Sequence, residues 1–367
     1  MTKNEISELR HRCTWSLAGH FQPTPAEGFA VMADWCERNN VIHDTYGEGE
    51  LIQEFEQKIA KLFGMEKALF CMTGTTAQVT ALRLACNSRQ QRLVALHPSS
   101  HILKHERSNY QLLNHFQALQ LGDPFRPWSV DDLKAMPEPI AAVLCELPMR
   151  EIGGQLPSWD ELEAIKSYCK EKNIHLHMDG ARVWEAMNGF GKDLHEIARG
   201  FDSVYVSFYK GIGGLGGAML MGKENFIDQA QIWIQRQGGN VYRRTPYVVS
   251  AVMQFEQRLA AMPAYYQRTL WLYEVLESFP LLRANPAKPQ SNMLHLYLPV
   301  DVAQATAIRN AIARDHRVWL FGKVVNTTLP AQCMFEWYVG DQLLFMPDDV
   351  VRRVLHLLSD AVSPRET

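Results

Sequence analysis

Between residues 68 and 221 the chain alternates short apolar runs with stretches of helical period, and this alternation limits the possible folds more than any other feature. Residues 68–72, 92–96, 141–147, 174–178, 204–208 and 218–221 read as strands. The run 141–147 is almost continuously apolar, as expected of a strand in a sheet covered on both faces. Between the strands lie helical patterns. Leu51, Phe55, Ile59 and Leu62-Phe63 recur at helical spacing up to a stop at Gly64, and Val79, Leu82 and Ala85 do so after a turn of small residues. Ser158 and Glu161 have capping-box spacing ahead of Leu162, Ile165 and Tyr168. Repeated β–α–β alternation predicts an α/β domain with a mainly parallel sheet.

Past about residue 250 the pattern changes. A long helical stretch over 252–279, a strand over 293–298, a helix over 301–315, a strand over 334–339 and a helix from Asp348 predict a smaller C-terminal α+β domain. Residues 1–40 are mixed, with a turn-rich patch at Phe21-Gln22-Pro23-Thr24-Pro25, and read as an arm or short helices. The expected division is therefore an N-terminal segment 1–40, a large domain 41–250 and a small domain 251–367.

Composition serves mainly to exclude. A formal net charge of −3 gives no electrostatic case for nucleic acid or an anionic membrane surface. No segment approaches the roughly 20 apolar residues of a membrane span, and charges at Lys3 and Glu5 stand where a signal peptide would need apolar residues. The 7 cysteines are scattered, without a CxxC pair, and read as reduced thiols rather than a disulfide framework or zinc site. The expectation is a cytoplasmic protein without a metal.

The chemistry gathers at predicted strand ends. Asp179 closes the run 174–178 and is followed by Gly180-Ala181-Arg182, while Lys210 follows the run 204–208 and leads into a glycine tract. In an open parallel sheet, ligands bind outside the carboxyl ends of the strands, where both charges would project. Gly211-Ile212-Gly213-Gly214-Leu215-Gly216 matches the dinucleotide fingerprint in letters. It leads into a strand-like run instead of the helix that fingerprint requires. Its glycines are better read as letting the backbone pass close to a ligand or a neighbouring strand. Thr73-Gly74-Thr75-Thr76 opens a helix, which can be a plain cap or an anion site.

Pyridoxal phosphate (PLP) needs a partly buried lysine for a Schiff base and an acid at its pyridine nitrogen so that the ring can take up electrons. It also needs a cradle for its phosphate and a partner stacked on its ring. Lys210, Asp179, Gly74-Thr75 and a histidine near residue 100 offer these four roles. His97, His101, His105 and His115 lie close enough to compete for the last, and position alone does not choose among them.

These residues resemble the L-threonine aldolase / β-eliminating lyase family, within the aspartate-aminotransferase-like (fold type I) PLP-dependent enzymes. The most specific block is Leu176-His177-Met178-Asp179-Gly180-Ala181-Arg182. Tyr46-Gly47-Glu48, the segment from Leu69 to Gln78, Ser100-His101 with Glu106, Lys210-Gly211 and Ser291-Asn292-Met293-Leu294 also resemble family motifs. The resemblance implies a large domain with a seven-stranded sheet and a small C-terminal domain. It implies that Lys210 forms the Schiff base, Asp179 pairs with the pyridinium nitrogen, and Gly74 and Thr75 hold the phosphate. His101 would stack on the ring and move a proton. Arg182 would contact the phenolic-oxygen side of the cofactor or the substrate carboxylate. Arg243 or Arg244 resembles a phosphate-contacting arginine. The family reaction splits a β-hydroxy-α-amino acid into glycine and an aldehyde, in a homodimer or homotetramer with active sites between subunits.

The chain departs from the family on the substrate side. Of the family's N-terminal Arg-Ser-Asp-Thr motif only Ser16 is a candidate, and Glu336 stands where a carboxylate-binding arginine is expected. Tyr209 replaces a serine before the lysine. The Glu-Asn-Thr-His-Asn-Gly segment appears as Glu146-Leu147-Pro148-Met149-Arg150-Glu151, without its histidine. These changes keep open a PLP-dependent β-elimination or decarboxylation of another amino acid, and a non-catalytic PLP-binding protein as a third reading.

Overall fold

A computed structural model of the chain describes residues 2–363. The chain forms two compact units, one of residues 23–151 and 155–261, the other of residues 1–22, 152–154 and 262–367.

The first unit is built on a seven-stranded sheet. In chain order its strands are β1 (Lys67–Cys71), β2 (Leu93–Leu96), β3 (Gln117–Gln120), β4 (Ala142–Glu146), β5 (His175–Gly180), β6 (Ser203–Ser207) and β7 (Ala218–Gly222). Across the sheet they lie in the order β1-β7-β6-β5-β4-β2-β3. From β6 to β3 every pairing is parallel, and β7 runs antiparallel to both its neighbours. All residues of β4, β5, β6 and β7 are buried, because both faces of the sheet are covered. On one face, Ala77, Ala81 and Leu84 of the Gly74–Arg89 helix and Ile227, Ala230 and Ile234 of the Glu224–Arg236 helix pack on Leu69, Tyr205 and Leu220. Elsewhere in the unit an aromatic cluster joins Phe55, Phe63, Trp184, Phe208 and Phe255.

The order of the parallel strands creates a crevice. From β2 the chain moves outward to β3, then returns to place β4 on the other side of β2 and continues through β5 and β6. The carboxyl ends of β2 and β4 thus part in opposite directions, the topological switch point at which open α/β sheets bind ligands.

Local signals act as the sequence suggests, with differences of detail. The helix Glu50–Phe63 ends at Gly64 in the left-handed conformation, φ 65°. Ser158 caps the Trp159–Lys172 helix by accepting from the Glu161 N–H at 3.2 Å. The reciprocal half of the box is diverted, because a Glu161 carboxyl oxygen accepts from the Val130 N–H at 2.6 Å. The N-terminal region holds two helices, Lys3–His11 and Pro25–Arg38. The second unit carries a four-stranded antiparallel sheet with Met293–Leu298 paired to Cys333–Tyr338. Phe335 and Trp337 enter its core, while Glu336 between them alternates to the other face, opposite His295. Trp15–Ser16 pairs in parallel with Val318–Trp319, and the Ser16 hydroxyl donates to the Ala18 carbonyl at 3.2 Å.

Candidate active site

The parallel register sets the site. Glu146 at the end of β4 lies directly beside Asp179 near the end of β5, and Asp179 lies beside Tyr205 of β6. Just beyond these strand ends, one pocket is lined by His101, Glu146, Pro148, Arg150, Glu151, Asp179, Ala181, Arg182 and Lys210. Of the residues expected from the sequence it joins Lys210, Asp179, His101 and Arg182.

Asp179 is 1% exposed. Its two oxygens accept from the Gln78 amide at 3.0 Å and from the Ala181 N–H at 3.1 Å, so the carboxylate is held in one orientation. Lys210 lies three residues past β6, where the Gly213 N–H donates to its carbonyl at 3.1 Å. Burial lowers the pKa of its amine below the ordinary lysine value, against the opposing pull of Asp179. Burial likewise lowers His101, favouring its neutral ring. The His101 Nε2 lies 3.9 Å from a carboxyl oxygen of the buried Glu106, whose pKa burial raises. Glu106 also hydrogen-bonds Asn109 and Thr75.

Glu146 joins the two sides of the switch point. One oxygen accepts from the Arg150 N–H at 3.0 Å and the other from the His101 N–H at 3.4 Å. Burial, and then the adjacent Asp179 charge, push this carboxyl up to about 8.

Gly74 and Thr75 begin the Gly74–Arg89 helix, where Thr73 accepts from the Thr76 N–H at 3.2 Å. A Cβ on Gly74 would meet the Tyr205 hydroxyl oxygen at 2.0 Å, so only glycine lets this helix start approach β6. Thr75 is exposed. The two arginines left open by the sequence part company. Arg244 is buried, with Nη1 donating to the Phe70 carbonyl at 3.0 Å and Nη2 to Asn240 at 2.7 Å. Arg243 is partly exposed and donates to the Asp44 carbonyl and to the Thr45 hydroxyl. Neither lines the pocket around Lys210.

Sequence reasoning assigned no role to Gln78, and Glu146, Arg150 and Glu151 entered it only as a departure. For Glu146 a signal existed: it ends a strand as Asp179 does. No sequence signal marks Gln78, because its contact with Asp179 spans 101 residues. The glycine tract makes the close approach expected of it. Gly217, at φ 91°, packs so tightly on Phe70 of β1 that a Cβ would sit 2.3 Å from the ring.

The sequence profile of the beta-eliminating lyase family matches residues 24–298. The chain belongs to this family. A protein of Listeria monocytogenes EGD-E, provisionally assigned as an L-allo-threonine aldolase, is 37% identical with a TM-score of 0.92, over 98% of this chain and 99% of that one. A protein of Exiguobacterium sp. 255-15, provisionally assigned as an aromatic amino acid beta-eliminating lyase/threonine aldolase, is 35% identical with a TM-score of 0.90, over 96% and 99%. The low specificity L-threonine aldolase of Escherichia coli K12 is 25% identical over 268 residues, 71% of this chain and 79% of the relative. Two further curated relatives are matched over 58% and 51% of their own length. The family's architecture is that of the fold type I PLP enzymes.

Proposed function

We propose that the protein is a PLP-dependent carbon–carbon lyase that cleaves a β-hydroxy-α-amino acid of the threonine or allo-threonine type to glycine and an aldehyde. The observation that carries this reading is the convergence of Lys210, Asp179, His101 and Arg182 on one pocket beyond the carboxyl ends of the sheet. The donor set fits PLP. A buried carboxylate held by two donors suits a protonated ring nitrogen, and a partly desolvated amine suits a covalent link.

Lys210 would carry the cofactor, Asp179 would keep its ring nitrogen protonated, and the N–H groups of Gly74 and Thr75 at the helix start would hold its phosphate. When bound, PLP supplies the electron sink for breaking the Cα–Cβ bond. His101 would stack on the ring, where its neutral imidazole would take the proton of the β-hydroxyl. Arg182 would contact the phenolic-oxygen side of the cofactor or the substrate carboxylate. The reading includes a cytoplasmic homodimer or homotetramer, in which Arg243 reaches the phosphate across a subunit interface. Among the described residues no helix is long and apolar enough to cross a membrane.

The purified protein is expected to be yellow, and Lys210→Ala to abolish covalent attachment, read as loss of the adduct after borohydride reduction and mass measurement. Glycine release from L-threonine, L-allo-threonine or phenylserine tests the reaction itself. A cofactor-loaded protein that releases no glycine from any of them is not an aldolase.

A further inference from the structure

An amino-acid substrate brings an α-carboxylate, which needs a cation. The strand expected to supply one carries Glu336 instead. A different cation occupies the pocket. Arg150 stands where the family segment has asparagine, on the short helical turn Arg150–Ile152 that follows β4, and its side chain lines the pocket with Lys210.

We propose that Arg150 binds the α-carboxylate of the amino-acid substrate and that Glu151 positions its guanidinium. This rests on the PLP-lyase reading above. Three observations carry it.

The first is place. Arg150 leaves β4 at the switch point, opposite His101, which leaves β2 there. The Glu146 carboxyl binds the backbone N–H of both residues, fixing each at the mouth of the crevice.

The second is orientation. Arg150 Nη1 donates to Glu151 Oε1 at 3.0 Å, and the same oxygen lies 2.9 Å from His105 Nε2. His105 in turn has its ring 5.0 Å from that of His101. A guanidinium presents five donors in a planar fork, the geometry that matches a carboxylate with two parallel bonds.

The third is charge. The pocket holds three basic side chains, Lys210, Arg182 and Arg150, and the carboxyls of Asp179, Glu146 and Glu151. Lys210 and Asp179 have complements in the cofactor itself, its aldehyde and its ring nitrogen. Arg182 follows Asp179 by three residues on the β5 connection, which suits the ring's phenolic oxygen. Arg150, on the neighbouring connection, has no complement in the cofactor. The anion that the cofactor does not provide and the substrate does is the α-carboxylate.

The test compares a ligand that has the carboxylate with one that lacks it. Glycine and methylamine are titrated into cofactor-loaded wild type, Arg150→Gln, Arg150→Lys and Glu151→Gln, with cofactor absorbance as the readout. Melting temperature and cofactor content confirm that each variant is folded and loaded. Arg150→Gln is expected to weaken glycine roughly 10- to 100-fold, the range for losing hydrogen bonds to a charged group, and to leave methylamine unchanged. Arg150→Lys keeps the charge without the fork and falls between. Glu151→Gln weakens glycine by less. Glycine binding unchanged in Arg150→Gln, or equal losses for both ligands, overturns the proposal while the PLP reading stands. If Arg150→Gln does not fold, an Arg150→Lys variant with wild-type selectivity for glycine over methylamine overturns it equally. A wild type that holds no cofactor overturns the underlying reading and this one with it.

Discussion

At the scale of single residues, the meeting of Asp179 and Lys210 in one pocket was legible because both stand at strand ends. Asp179 and Lys210 each follow an apolar run, so a side chain at either position must emerge where the sheet stops. Glu146 emerges in the same way, yet it sits within a run so apolar that the carboxyl reads as an interruption. Its environment makes it a titration reporter. Burial and Asp179 raise its pKa to about 8 from a reference of 4.5. Folding therefore favours the protonated form. That stabilisation is complete below the unfolded value and is lost as pH rises through the folded one. The cofactor-free protein is expected to lose stability from about pH 4.5 to about pH 8, with a slope of at most about 1.4 kcal/mol per pH unit from this group. Glu146→Gln, which cannot ionise, should flatten that part of the curve in melting experiments. Parallel curves for the two proteins would show that Glu146 titrates normally.

At the scale of elements, strand and helix existence followed from periodicity, and the failures have physical causes. β3 is Gln117-Ala118-Leu119-Gln120, a sheet edge with no residue fully buried. It has no apolar run to announce it. Residues 1–40 read as an arm or short helices, and an arm stayed open because the helix Pro25–Arg38 buries only Met32. The start of the long Thr245–Leu276 helix also depends on a contact that spacing cannot reveal. Asp44 is 3% exposed, and one of its oxygens accepts from the Arg244 N–H at 2.8 Å, the Thr245 N–H at 2.7 Å and the Thr245 hydroxyl at 2.6 Å. The other accepts from the Gly47 N–H at 2.9 Å. This carboxylate caps a helix 200 residues away in sequence and ties the loop with Tyr46 to it. Asp44→Ala leaves several buried donors without an acceptor, and a loss of about 3 kcal/mol or more is expected in urea unfolding. A loss below about 1 kcal/mol would mean that water replaces the carboxylate.

At the scale of the molecule, the first unit exposes large apolar side chains that a solitary unit has no use for. Tyr46 is 50% exposed, Tyr242 53%, Leu215 55% and Tyr209 42%. Tyr46 and Tyr242 pack edge to face with ring centroids 5.2 Å apart, so they form a patch rather than isolated residues. Sedimentation is expected to give at least twice the 41.9 kDa of one chain, and Tyr46→Arg with Tyr242→Arg to shift the protein toward the monomer. A wild type that sediments as a monomer would remove the assembly from the functional reading.

The antiparallel placement of β7 has a consequence for how this family member can change. Arg182 and Arg150 lie where the chain leaves the sheet for a crossover, and such connections can lengthen without altering the strands. Lys210 lies instead in a closed span, since Ser207 and Ala218 are register partners and the ten residues between them must leave β6 and return. Phe208 bonds Gly217 across its base. One residue inserted there before Lys210 would shift its amine relative to Asp179, which stays in the sheet. Insertion beyond either arginine leaves Asp179 and Lys210 in place, whereas insertion ahead of Lys210 moves the amine along its loop.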